Sequence, residues 1–203
     1  MVGYGGPQVD VPLDRVTIEA REGTAQGRLL GSTVSGPDGR FLILGLAAGT
    51  AVSIQVPVQD AYRAGSFPPV ITCADQVVEF GFGVLVDRYL TGINYQHGST
   101  LPAGATIRWD PAPDITSYCV ELSVDFVRIA DTAARLGATG TCPGFNPGWP
   151  IGPATSFTLP SGASGMTVRF VVRGYHPKVS LPVAYLRGGL PASFEGMQVY
   201  TVQ

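Results

Sequence analysis

Apolar and polar positions alternate with a period of two along several short stretches of this chain. From Arg15 to Ala20, Val16, Ile18 and Ala20 fall on one side and Arg15, Thr17 and Glu19 on the other, the pattern of a half-buried strand. Val52, Ile54 and Val56 repeat it. Val70 to Thr72 is strand-like, and Gln76 to Val86 supplies a longer apolar segment through Val77, Val78, Phe80, Phe82, Val84 and Val86. Its interior glycines, Gly81 and Gly83, suggest bulges or close backbone approach. In the second half, the tail after Pro182 adds strand-like material ending in Met197 to Val202, which alternates and could pair along an edge. Asp131 to Leu136 is expected as a helical turn with Asp131 as its N-cap.

Turn chemistry sharpens the first half. In Thr33 to Thr50, T-V-S-G-P-D-G-R-F-L-I-L-G-L-A-A-G-T, the triplet Pro37-Asp38-Gly39 lies between β-rich flanks. Pro pre-sets φ, Asp bonds its own backbone and Gly takes the positive φ, so a β-hairpin followed by a loop is predicted. This stretch, with V-P-L-D-R-V-T-I-E-A (Val11 to Ala20) before it, resembles the carboxypeptidase regulatory-like (transthyretin-like) β-sandwich family. The likeness covers Val11 to Val56, with Ala51 where that family usually has an aromatic. It implies a small non-catalytic module of a larger extracellular assembly.

A second module is expected from about Leu90. T-I-R-W-D-P-A-P-D-I-T-S-Y-C-V-E-L (Thr106 to Leu122) resembles the B strand, B–C loop and C strand of a fibronectin type III domain, with Trp109 as core tryptophan and Pro111 and Pro113 in the loop. Thr155 to Pro160 is similar to its E strand and Val168 to Tyr175 to its F strand, with Val168 where the corner tyrosine often stands. The expected architecture is all-β: two tandem immunoglobulin-like or prealbumin-like β-sandwiches. The first spans 1–88; the second spans 89–203 and carries a long Pro/Gly-rich insertion at 137–154.

Composition agrees with many short strands and turns: 27 Gly and 17 Pro in 203 residues, with 14% charged. The net charge is −2 and the cations are scattered, so no nucleic-acid groove and no nucleic-acid partner are expected. No apolar run approaches the roughly 20 residues of a bilayer-spanning helix, and no membrane insertion is expected. Met1 to Pro7 has neither the basic nor the apolar region of a secretory signal. A chain made and used without export, or a piece of a longer exported protein, is expected on that basis.

The three cysteines, Cys73, Cys119 and Cys142, form no C-x-x-C pair, which excludes zinc-ribbon and thioredoxin-like spacing. Cys119 and Cys142 are a candidate disulfide, worth roughly 3 kcal/mol by loop closure; buried free thiols are the alternative.

Catalytic constellations are not legible. The only histidines are His97 and His176, and there is no G-x-S-x-G elbow. A zinc site would require both histidines at one pocket. Asp110 and Asp114 flank the B–C loop and could share a cation, or stabilise the turn. No enzymatic activity and no cofactor are expected.

The remaining signal is aromatic residues in loops: Tyr62 and Phe67 in the first module, Phe145 and Trp149 in the Pro/Gly-rich excursion. Such residues contact protein partners or stack on glycans; Trp149 could instead cap its own core. The function expected is that of a non-catalytic structural or interaction protein with protein neighbours in a larger assembly. The foremost setting is a phage virion, as a capsid decoration, tail or fibre component. The alternative is a spacer or glycan- or protein-binding fragment of a secreted bacterial surface protein.

Overall fold

The computed structural model describes residues 2–4, 11–57, 65–66, 70–72, 77, 84–85, 88–124, 129–143, 147–179, 182–186 and 197–203. Its regular structure is nearly all β, in several sheets with no barrel and a single α-helix among the described residues. The chain separates into two compact units, Met1–Asp87 and Arg88–Gln203.

The first unit contains β1 (Val2–Tyr4), β2 (Val11–Pro12), β3 (Thr17–Glu22), β4 (Leu29–Val34), β5 (Ala51–Val56), β6 (Gly65–Ser66), β7 (Val70–Ile71) and β8 (Val84–Leu85). One sheet has the order β2-β1-β8; the other runs β4-β3-β5-β6, with β7 also on β5. The alternation in β3 and β5 does what its period requires. Ile18, Ala20, Val52, Ile54 and Val56 are buried on one face, while Glu19 on the other accepts hydrogen bonds from Arg21 Nε (2.7 Å) and Gln55 Nε2 (2.9 Å).

The expected hairpin forms only in part. Its turn is present: Gly39 has φ 70°, Gly36 N–H bonds Arg40 O (2.9 Å), and Arg40 N–H bonds Asp38 Oδ1 (3.0 Å). Its second strand is not. Residues 41–47 pair with no strand among the described residues. Ile43 lies over Gly31, whose absent Cβ leaves room for it; a Cβ there would stand 3.1 Å from Ile43 Cγ2. The segment therefore crosses beside β4 instead of joining its ladder. The loop that follows is anchored by Thr72, whose hydroxyl donates to Ala47 O (2.5 Å) and accepts from Thr50 N–H (3.1 Å). Gln76 to Val86 lies largely outside the described residues, which include Val77 and the short β8.

The second unit contains β9 (Arg88–Leu90), β10 (Thr100–Leu101), β11 (Thr106–Arg108), β12 (Ser117–Val124), α1 (Ile129–Arg135), β13 (Gly140–Thr141), β14 (Pro147–Gly152), β15 (Ser156–Thr158), β16 (Thr167–Tyr175), β17 (Ala184–Leu186) and β18 (Met197–Val202). The large sheet has the order β10-β18-β16-β12-β14-β13, with β17 on β16 and β9 on β17. β11 and β15 form a separate two-stranded sheet.

These two sheets share a core. Ile107 and Phe157, paired across β11 and β15, are 0% and 8% exposed. Phe157 meets Phe170 of β16 and Trp149 of β14 at ring separations of 6.1 and 5.4 Å. Trp109, just past β11, packs edge-on to Tyr118 of β12 (5.8 Å) and against Phe170 (6.4 Å). Alternation on β16 sends Val168, Phe170 and Val172 into this core.

Two expectations require correction. Asp131 is not an N-cap; it lies in the first turn of α1, which begins at Ile129. β18 is not an edge strand, since it pairs antiparallel with β16 and parallel with β10. β17 and β18 follow one another along the same side of β16, from Gly174↔Ala184 to Val171↔Met197 and onward.

Candidate functional site

Of the four aromatic candidates, Trp149 lies among the described residues. Trp149 lies on β14, opposite Val120 of β12, and is 7% exposed. That places its ring in the core of its own unit, on Phe157, and not at a partner-facing loop. β14 approaches β12 closely because Gly148 has no side chain: a Cβ there would stand 2.5 Å from Val120 O and 2.7 Å from Cys142 Sγ. Tyr62, Phe67 and Phe145 lie outside the described residues.

Cys119 and Cys142 are joined in a disulfide, with Cα atoms 5.6 Å apart. Both are buried, at 1% and 0% exposure, beneath Tyr175. The bridge closes the connection that leaves β12, passes through α1 and returns at β13. Tyr175 donates its hydroxyl to Pro143 O (3.2 Å), and burial pushes its pKa up to about 12. Cys73 lies outside the described residues.

Beside the disulfide lies an ion pair that the sequence did not announce. Glu121 accepts from Arg173 Nε at 2.7 Å and from its NH2 nitrogen at 3.3 Å, and Arg173 stands 5.7 Å from the centre of the Tyr185 ring. Burial works to lower the Arg173 pKa, but the hydrogen bonds and charge of Glu121 outweigh it and hold the guanidinium above its ordinary value. The available signal was the one acid of β12 and two arginines, Arg169 and Arg173, at alternate positions of β16, on the face away from the Trp109 core.

Each histidine holds a backbone group. His97 Nδ1 accepts from Val199 N–H (3.2 Å), and His176 Nδ1 from Lys178 N–H (3.1 Å). Val199 is opposite Arg169, whereas His176 follows Tyr175 at the far end of β16; about 20 Å of strand separates those points, so they do not share a pocket. Asp110 sits over Gly92, within 3.4 Å of the Thr91 hydroxyl, and Asp114 occupies a turn with φ 66°. No group of three or more His, Cys, Asp or Glu residues converges to hold a metal among the described residues. No helix among them is long and apolar enough to cross a membrane.

The clearest surface anomaly is in the first unit. Among the described residues, β4 ends its sheet, with only β3 as neighbour. Leu29 (48%) and Val34 (57%) on β4 are exposed, as are Leu42 (58%) and Leu44 (77%) in the unpaired segment beside it. Residues 29–37 and 41–59 contain no charged side chain.

No protein-family model matches the chain, and no curated protein matches it.

Proposed function

We propose that this chain is a non-catalytic structural and interaction protein built from immunoglobulin-like modules, a component of a phage virion. The supporting observation is the layering of the second unit. β11 and β15 face a sheet in which β18, β16, β12 and β14 are successive neighbours, with Trp109 between the layers. The fibronectin type III reading of Thr106 to Tyr175 calls for this arrangement of B and E strands against G, F, C and C′. The residues with chemical potential are engaged in holding that frame: His97 and Tyr200 tie 95–97 to β18, and Glu121 and Arg173 satisfy each other.

A specific observation favours the second setting, a secreted bacterial surface protein. A fully buried disulfide suits a chain that folds or matures in an oxidising compartment, whereas glutathione and thioredoxin keep cytosolic thiols reduced. One experiment separates the settings: fractionation of the source material, with mass spectrometry of intact particles and of the secreted fraction. Recovery with capsid or tail proteins supports the virion. Recovery in the envelope or medium, as part of a longer chain, overturns it in favour of the surface protein. Turnover of a substrate by the purified chain would overturn both.

A further inference from the structure

We propose that Asp38 is a site of spontaneous main-chain modification, at which its carboxyl condenses with the Gly39 amide to a cyclic imide that reopens as isoaspartate. This chemistry belongs to one turn of the first unit and is independent of where the protein is found.

Condensation requires a side-chain carboxyl that can reach the next backbone nitrogen, and a following residue that leaves the approach open. Asp38 meets both requirements. Its side chain is 64% exposed, and it curls over its own C-terminal peptide, because Oδ1 accepts from Arg40 N–H at 3.0 Å. The Gly39 nitrogen lies within the ring that this hydrogen bond closes, and Gly39 has no Cβ to obstruct attack. The other aspartates among the described residues each lack a requirement. Asp110 precedes Pro111, which has no amide hydrogen to lose. Asp114 and Asp131 precede the β-branched Ile115 and Thr132, and Asp14 precedes the long side chain of Arg15.

The step balances with water as its only co-reactant. The Gly39 nitrogen forms a bond to Asp38 Cγ, and the carboxyl, in its acid form, gives up its hydroxyl, which leaves as water with the amide hydrogen. Water then adds to either carbonyl of the imide. Opening at Cγ restores Asp38. Opening at the main-chain carbonyl leaves the chain running through Cγ, one methylene longer, with the former carbonyl carbon as a free carboxylate and the mass unchanged.

The same turn sets the pace. Gly39 N–H is held by Gly36 O at 2.8 Å, and the Arg40 guanidinium stands 3.5 Å from Asp38 Oδ2. Both contacts must open before the ring closes, so conversion is slow and records the age of the chain. Once formed, the lengthened turn cannot keep Gly36 N–H on Arg40 O (2.9 Å) together with Gly39 N–H on Gly36 O. It also shifts the start of the segment that places Ile43 over Gly31.

The test is prolonged incubation of the folded chain at body temperature and mildly acidic pH, followed by tryptic digestion and mass spectrometry. Cleavage after Arg28 and Arg40 releases the peptide 29–40, in which Asp38 is the only aspartate and asparagine is absent. A second chromatographic peak of equal mass, assigned by electron-transfer fragmentation, therefore reports isoaspartate at this position. The expected result is a peak that grows with time severalfold faster than conversion at Asp14, Asp114 or Asp131, and severalfold more slowly in Gly39→Ala. Gly39 has φ 70°, so Gly39→Ala also strains the turn. Asp38→Asn is the second variant: it passes through the same imide with loss of ammonia and should convert faster than wild type to a mixture of Asp and isoaspartate. A folded wild-type chain that gains no isoaspartate at Asp38 overturns the proposal. So does conversion no faster than at the other aspartates, or an Asp38→Asn chain that keeps its amide.

Discussion

Arg173 Nε lies 2.7 Å from Glu121 Oε1, although the two residues are not directly opposite: Arg173 faces Cys119 and Glu121 faces Val171. The pair is thus a diagonal clasp between β12 and β16, with side-chain exposures of 18% for Arg173 and 5% for Glu121. Removing one member strands the other in a poorly solvated site. Glu121→Ala is expected to destabilise the second unit by about 3–5 kcal/mol, in the range for breaking a buried pair. Urea unfolding monitored by tryptophan fluorescence reads this unit, since Trp109 and Trp149 both belong to it. A loss below about 1 kcal/mol would place the pair with exposed surface bridges instead.

In the first unit, Ser35 performs a comparable task without charge. It is 2% exposed, donates its hydroxyl to Leu13 O (2.6 Å) and accepts from Val16 N–H (3.0 Å). This closes the entry to β3 against the end of β4. Ser35→Ala leaves a buried donor and acceptor unpaired and is expected to cost about 1–3 kcal/mol. Because the tryptophans report the other unit, far-UV circular dichroism during urea unfolding is the appropriate measurement. Ser35→Cys restores only a weak donor, so an unchanged midpoint in both variants would show that the bridge contributes nothing.

Glu19 gives the first unit an acid-side pH dependence. Partial burial tends to raise its pKa, yet hydrogen bonds from Arg21 and Gln55 and the Arg21 charge prevail and hold it below the usual value of 4.5. A carboxylate whose folded pKa is depressed stabilises the fold above its unfolded pKa, and that contribution is lost as pH falls through the folded value. Glu19→Gln should therefore have a lower Tm than wild type at pH 7. The difference should narrow on acidification below about pH 4. A Tm gap that is constant across that range would assign the effect to the lost hydrogen-bond geometry and not to ionisation.

The legible parts of this fold are those in which one face of a strand is buried. Ile18 and Ala20 on β3 and the apolar positions of β5 announced themselves by alternation because burial on one side enforces a period of two. Phe41 to Leu44 carries the same apolar character without a ladder, since composition records the wish to be buried and not the presence of a neighbouring strand. Gly45 and Gly49, at φ 76° and 73°, then turn the chain away. The Pro/Gly-rich excursion misled in the opposite direction. Its glycines and prolines read as loop, yet Gly148 lets β14 press against β12 and carries Trp149 into the core. The Glu121–Arg173 clasp was invisible because its partners are 52 residues apart and meet only through strand register.

That close approach yields the sharpest test of the second unit. At Gly148 an added methyl would stand 2.5 Å from Val120 O and 2.7 Å from Cys142 Sγ, and both neighbours are fixed, one by the β12 ladder and the other by the disulfide. Neither can yield without moving β14 off β12 or straining the bridge. Gly148→Ala is therefore expected to destabilise by about 1–3 kcal/mol through overpacking, to red-shift Trp149 emission and to speed the reduction of the Cys119–Cys142 bridge by added dithiothreitol, read by alkylation of the thiols it releases. Gly165→Ala is the control. Gly165 has φ 76° and no atom within 4 Å of the added Cβ, so its cost is the backbone term alone, about 1–2 kcal/mol. It should leave emission and alkylation unchanged. If Gly148→Ala altered neither readout, β14 would not lie as close to β12 as the burial of Trp149 requires.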